Sequence, residues 1–132
     1  MKRRASGTFE VKLNPQPADE YADATALARM TLDKEFRGDL EGTSKGQMLS
    51  AATPIRNSAG YVAIERVTGT LQGRAGSFIL QHSGTMNRGA PTLVVSIVPD
   101  SGTGALEGIN GTMTIDLSGG KHAYTLDYTL DN

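Results

Sequence analysis

The chain of 132 residues contains no cysteine and no tryptophan, has only two histidines, and carries almost no net charge. The absence of cysteine excludes a disulfide scaffold, a thiolate zinc site and a cysteine nucleophile. The formal net charge of −1 argues against a nucleic-acid-binding surface, which needs an excess of basic residues on one face. Two histidines far apart in the sequence rarely complete a zinc site, so we expect no metal.

Long apolar segments are also missing. The basic residues 2–4 are not followed by an apolar run, which argues against a signal peptide. No stretch approaches the roughly 18 consecutive apolar residues of a membrane span. We therefore expect a cytoplasmic protein without membrane or nucleic-acid partners, and the length predicts one domain over residues 1–132.

Glycine is abundant, with 16 residues against an average of about 7%. Apolar and polar residues alternate with a period of two, which is typical of half-buried β-strands. No segment shows the period of an amphipathic helix, and residues 18–24 are expected to form a surface loop or one helical turn. Alternation is found in residues 9–14, 29–40, 61–71, 78–86, 112–117 and 122–130.

A glycine repeat connects these segments. The pattern G-x-L-x-G-x-x-G-x-[FM] occurs in residues 69–78 and 104–113, and a looser copy with one additional residue occurs in residues 38–48. We expect each copy to end one strand, turn through its glycines and begin the next strand. The repeat predicts an all-β fold, a small closed antiparallel barrel of about eight strands with little helix.

Residues 102–111 resemble the glycine motif of the allene oxide cyclase and dirigent barrels of plants. Over nearly its whole length the chain resembles a bacterial family of uncharacterised barrels, through residues 38–49, 60–66, 76–86 and 100–115. The resemblance implies an allene oxide cyclase-like, calycin-like barrel with a pocket and no cofactor. It implies no activity, since no catalytic residue of the cyclases or dirigent proteins matches this chain.

The alternation places several polar side chains inside the barrel. Lys34, Glu65 and His82 fall on inward faces, and Ser44 is a further candidate. Because an unpaired buried charge costs several kcal/mol, we expect at least two of the three ionisable groups to be in contact. Glu65 and His82 should lie within a residue or two of cross-strand register.

This cluster has two interpretations. As a catalytic site, Lys34, Glu65 and His82 would perform general acid–base chemistry, because a buried Glu or His beside a cation can be tuned for proton transfer. As a structural element, the same residues would form a satisfied ion pair that fixes strand register.

The inward apolar residues predict a flexible, methionine-rich lining for a small apolar or amphipathic molecule. The predicted ligand-binding residues are Tyr61, Tyr124, Tyr128, Met30, Phe36, Met48, Phe78, Met86 and Met113. Three functions stay open: a cofactor-free isomerase or cyclase, a carrier without chemistry, and a filled structural or interaction barrel. The volume of the lumen distinguishes a ligand-binding barrel from a filled one. Contact of Glu65 or His82 with the pocket distinguishes an enzyme from a carrier.

Several outward positions are apolar as well. They lie on consecutive predicted strands, so we expect one contiguous outer patch. A contiguous exposed apolar patch usually marks an interaction surface. The sequence therefore predicts a homo-oligomer, a dimer or trimer, and the alternative is that the loop at residues 15–24 or the N-terminal segment covers the patch. The patch residues are Leu49, Val62, Ile64, Ile79, Val94 and Val98.

Overall fold

The computed structural model describes residues 2–17 and 27–130, whose eight strands pair in chain order and close into an antiparallel barrel. The predicted all-β barrel is confirmed, and the described residues contain only a three-residue 3-10 turn, Gly104–Leu106, as helix. No helix among them could cross a membrane. The predicted loop or turn at residues 18–24 lies outside the described residues. The strands are β1 Lys2–Pro15, β2 Leu27–Gly38, β3 Leu40–Ala52, β4 Ala59–Leu71, β5 Arg74–Asn87, β6 Ala90–Ile97, β7 Asn110–Asp116 and β8 His122–Thr129.

The first glycine repeat forms the predicted hairpin. Leu71 at the end of β4 pairs with Arg74 at the start of β5. The two residues between them, Gln72 and Gly73, have φ values of 47° and 88°. Positive φ at both central positions characterises a type I′ turn, whose twist matches that of the flanking strands.

The second repeat differs from the prediction. β6 ends at Ile97, well before the repeat begins, and the connection to β7 follows the edge of β5 instead. The Val98 N–H donates to the Ile79 carbonyl at 2.9 Å, and the Thr103 N–H donates to the Ser77 carbonyl at 2.8 Å. The looser copy also departs from the prediction, because the chain turns at Gly38 and most of that copy lies within β3.

The interior is divided between a packed end and an open end. The β2–β3 and β4–β5 turns, the β6–β7 connection and the start of β1 lie at the packed end. Its buried side chains form one hydrophobic cluster at this end of the barrel, including Phe36, Leu40, Leu71, Phe78, Leu106, Met113, Tyr124, Leu126 and Tyr128. The opposite end, where β3 leads to β4 and β5 leads to β6, is open.

The predicted outer patch is contiguous. Leu49 of β3 pairs with Val62 of β4, and Val62 pairs with Ser83 of β5, which in turn pairs with Val94 of β6. Leu49, Val62, Ile64 and Val94 are each more than half exposed, whereas Ile79 and Val98 are partly buried.

Candidate functional site

Lys34, Glu65 and His82 meet inside the barrel, as the alternation predicts. The Lys34 ammonium donates to Glu65 Oε2 at 2.7 Å, and His82 Nε2 lies 2.5 Å from the same oxygen. Ser44 Oγ donates to Glu65 Oε1 at 2.7 Å. The Glu65 carboxylate therefore accepts three hydrogen bonds while being 0% exposed.

The environment keeps Glu65 ionised. Burial raises the pKa of Glu65, but hydrogen bonds from His82 and Lys34, together with the charge of Lys34, outweigh burial and hold it at about 2. An ionised carboxylate can only accept hydrogen bonds, so His82 Nε2 carries the proton in its contact. The cluster is a compensated Lys–Glu pair with a serine and a histidine as further donors.

Strand register brings the cluster together. Lys34 of β2 pairs with Ser44 of β3, and Gly46 of β3 pairs with Glu65 of β4. A Cβ on Gly46 would lie 2.7 Å from the Glu65 Cβ and 2.2 Å from the Ile64 carbonyl oxygen. Glycine at this position therefore allows β3 and β4 to approach where Glu65 turns inward.

Aromatic side chains surround the ammonium of Lys34. Its Nζ lies 4.8 Å from the ring centroid of Phe9 and 5.9 Å from that of Phe36. Both distances are within the range of a cation–π interaction. The second histidine, His122, packs against Phe9 with ring centroids 5.0 Å apart. The alternation in residues 9–14 predicts a half-buried strand but does not connect Phe9 with Lys34.

The open end of the barrel contains an apolar pocket of about 550 Å³. Three methionines from different strands and Tyr61 lie in its wall, which agrees with part of the predicted lining. Other wall residues that the predicted set does not include are Leu13, Leu27, Pro91 and Leu93. The predicted residues in the wall are Met30, Met48, Met86 and Tyr61.

Buried side chains lie between the pocket and the ion cluster along two of the strands. Along β2, Leu32 lies between Met30 of the pocket and Lys34 of the cluster. Along β4, Ala63 lies between Tyr61 of the pocket and Glu65. Leu32 and Ala63 are both buried, and none of Lys34, Ser44, Glu65 and His82 contributes to the pocket wall.

Tyr61 lies in the pocket wall, and the charge of Glu65 in the cluster affects its pKa. Burial raises the pKa of Tyr61, and the negative charge of Glu65 raises it further. Tyr61 therefore keeps its proton and can donate a hydrogen bond in a mainly apolar wall, which also contains Ser50, Thr85 and Thr92. Its ring lies over Gly84 of β5, where a Cβ would come within 2.5 Å of Tyr61 Cε1.

Five residues of the predicted lining belong to the packed core, so the structure does not place them in the pocket wall. Phe36, Phe78 and Met113 are buried in the hydrophobic cluster together with Tyr124 and Tyr128. The Tyr124 hydroxyl accepts from the Leu40 N–H at 2.9 Å and lies 3.0 Å from the Arg37 carbonyl oxygen, to which it donates. The Tyr128 hydroxyl donates to Gln72 Oε1. Both tyrosines satisfy groups at the β2–β3 and β4–β5 turns, so they have structural partners.

The described residues contain no group of three or more His, Cys, Asp or Glu side chains suited to a metal ion. The ammonium of Lys34 occupies the side of the Glu65 carboxylate that faces His82. These residues thus form a cation–carboxylate pair, and a metal ion at Glu65 would face the charge of Lys34.

The geometry defines a small antiparallel barrel with an apolar pocket at its open end and a buried ion cluster in its interior. The chain belongs to a family described as "Protein of unknown function (DUF3224)", whose model matches residues 5–128. It is similar to a solved structure from Shewanella oneidensis MR-1, a protein of unknown function from the same family. The two chains are 46% identical, with a TM-score of 0.93 over 100% of this chain and 99% of that one. No curated protein matches the chain.

Proposed function

We propose that the protein binds a small apolar or amphipathic molecule in the pocket at its open end. The observation that carries this proposal is the apolar pocket of about 550 Å³, a volume within the range of about 300–1,000 Å³ of small-molecule sites. Methionines adapt their shape to different ligands, and the Tyr61 hydroxyl offers one oriented donor to an oxygen of the ligand. The resemblance of residues 102–111 to the glycine motif of the allene oxide cyclase and dirigent barrels, which act on small molecules without a cofactor, also supports binding of a small molecule.

We further propose carriage rather than catalysis as the basic activity. Lys34, Glu65 and His82 do not contribute to the pocket wall, and all three are buried. A proton-transfer reaction at Glu65 would require buried side chains to move, because Glu65 is 0% exposed. Glu65 is also a weak base at neutral pH, because its pKa is about 2.

A thermal-shift screen with a library of small metabolites tests the proposal. Hits should raise the melting temperature of the natural protein in a saturable manner. Met86→Trp, which fills part of the pocket, should abolish this shift, and Leu117→Trp is the control because Leu117 is 60% exposed and outside the pocket wall. Equal shifts in both variants would contradict binding in this pocket.

The same hits separate carriage from catalysis. Each hit is incubated with the natural protein and with Glu65→Gln, and products are sought by mass spectrometry. Carriage predicts no product with either protein. A product that forms with the natural protein and is lost in a folded Glu65→Gln variant would instead support an acid–base role of the cluster.

A further inference from the structure

Two arginines lie at the packed end of the barrel, away from the pocket. Arg3 of β1 pairs with Tyr128 of β8, and Arg74 begins β5 opposite Leu71. Arg3 precedes the buried Ala5 by two residues, and Arg74 precedes the buried Phe78 by four, so strand alternation directs both side chains inward. Both residues are half-buried.

Each of these arginines has a buried nitrogen without a hydrogen-bond partner in the described part of the chain. The two atoms are Arg3 Nε and Arg74 Nη1. Arg4, one residue along β1, differs because its guanidinium donates to Asp127 at 2.7 Å. A buried donor on a charged group is costly when it is left unsatisfied, so the arrangement favours an acceptor of opposite charge.

Tyr128 connects the positions of the two arginines, because it is the strand partner of Arg3 and its hydroxyl contacts Gln72, two residues before Arg74. Burial raises the pKa of Tyr128, whereas the positive charges of Arg3 and Arg74 lower it, so both charges act at this hydroxyl. The hydroxyl donates to Gln72 and supplies no negative charge. Asp39 lies near enough to raise the same pKa, but its Oδ2 accepts from the Ser6 N–H at 2.9 Å.

We propose that Arg3 and Arg74 bind a small free oxyanion, such as inorganic phosphate or a carboxylate. Guanidinium groups suit such ligands because their N–H groups match the geometry of paired oxygens. A groove of about 590 Å³, lined in part by Lys2, Arg3, Arg4 and Tyr128, makes Arg3 accessible from solvent. Asp127 also lines the groove and is paired with Arg4.

Titration with inorganic phosphate tests the site, with sodium chloride at matched ionic strength as the reference. Phosphate should raise the melting temperature in a saturable manner, and chloride should not. Arg74→Gln should weaken the apparent affinity at least about tenfold, because a charge-assisted hydrogen-bond pair is lost. Arg88→Gln is the matched control, because Arg88 is exposed in the β5–β6 turn at the opposite end of the barrel and lies outside the groove, and it should change the affinity less than about twofold. Equal effects of phosphate and chloride, or unchanged affinity in Arg74→Gln, would overturn the proposal.

Two additional measurements keep the test decisive. If Arg74→Gln does not fold, the arginine side-chain N–H resonances of the natural protein are followed by NMR during the same titration. Saturable shifts of the Arg3 and Arg74 signals support the site, and shifts confined to other arginines refute it. Asp131→Asn tests whether a carboxylate of the chain itself, and not a free anion, is the partner of the two arginines. Asp131 lies outside the described residues. Phosphate binding that occurs only in Asp131→Asn would show that the chain itself fills the site and would refute a free ligand.

Discussion

Lys34 and Glu65 form an ion pair across an intervening strand, with Lys34 Nζ 2.7 Å from Glu65 Oε2. Lys34 is on β2 and Glu65 is on β4, and β3 lies between them with Ser44 and Gly46 at the crossing. Gly46 contributes no side chain there, and Ser44 donates to the second carboxylate oxygen. The pair thus connects three strands of the barrel wall, and its removal should affect their mutual packing.

We predict that Lys34→Met destabilises the protein strongly. The substitution leaves the Glu65 carboxylate buried without its cation, and breaking a buried pair in this way typically costs about 3–5 kcal/mol. The free energy of unfolding in urea at pH 7 measures the effect. Lys45→Met is the matched control, because Lys45 is exposed and pairs with Asp33 at 3.2 Å, and it should cost less than about 1 kcal/mol. Similar losses in the two variants would show that burial does not determine the strength of the Lys34–Glu65 pair.

We predict an acid-dependent loss of stability that depends on Glu65. Its pKa is about 2 in the folded protein and 4.5 as the ordinary value. Because the folded pKa is the lower one, the contribution of Glu65 is complete above about pH 5 and is lost as pH falls toward 2. The difference corresponds to roughly 3 kcal/mol. Urea unfolding from pH 7 to pH 3 should show a steeper decline for the natural protein than for Glu65→Gln, and parallel declines would contradict this assignment.

We predict that Gly84→Ala disturbs the pocket. The new Cβ would lie 2.5 Å from Tyr61 Cε1, so the tyrosine ring must move toward the pocket. The expected cost is about 1–3 kcal/mol in the free energy of unfolding. Ligands identified by thermal shift should also bind more weakly. Gly119→Ala is the control, since a Cβ there meets no atom within 4 Å. Unchanged binding in a folded Gly84→Ala protein would argue that Tyr61 does not shape the site.

We predict that the protein self-associates through the outer patch on β3, β4 and β6. Leu49, Val62, Ile64 and Val94 form an exposed apolar surface, and closed symmetry favours a dimer or trimer. Sedimentation velocity at micromolar concentration should show this species, and Val62→Lys combined with Val94→Lys should convert it to monomer. Thr8→Lys combined with Thr114→Lys, on β1 and β7, should not. A monomeric natural protein would refute the prediction.

The alternation of side chains determined which residues face the interior. A period of two follows from backbone geometry alone, so the inward positions of Lys34, Glu65 and His82 could be predicted from local sequence. The approach of Glu65 to His82 was also predictable, because the Gln72–Gly73 turn fixes the hairpin register and pairs Ala63 with His82. The same reasoning predicted the contiguous apolar patch across β3, β4 and β6.

The tertiary structure alone decided how the interior is divided. Phe36 and Met30 share one face of β2, yet Phe36 lies in the packed core and Met30 in the pocket wall. The difference depends on what the other strands place at each level of the barrel, which involves residues far apart in sequence. The β6–β7 connection brings Leu106 and Ile109 into the core at the packed end, although its glycine repeat predicts a hairpin. Side-chain direction is a local property of a strand, whereas the filling of a lumen depends on the sum of long-range packing, so only the closed barrel determines where space is left.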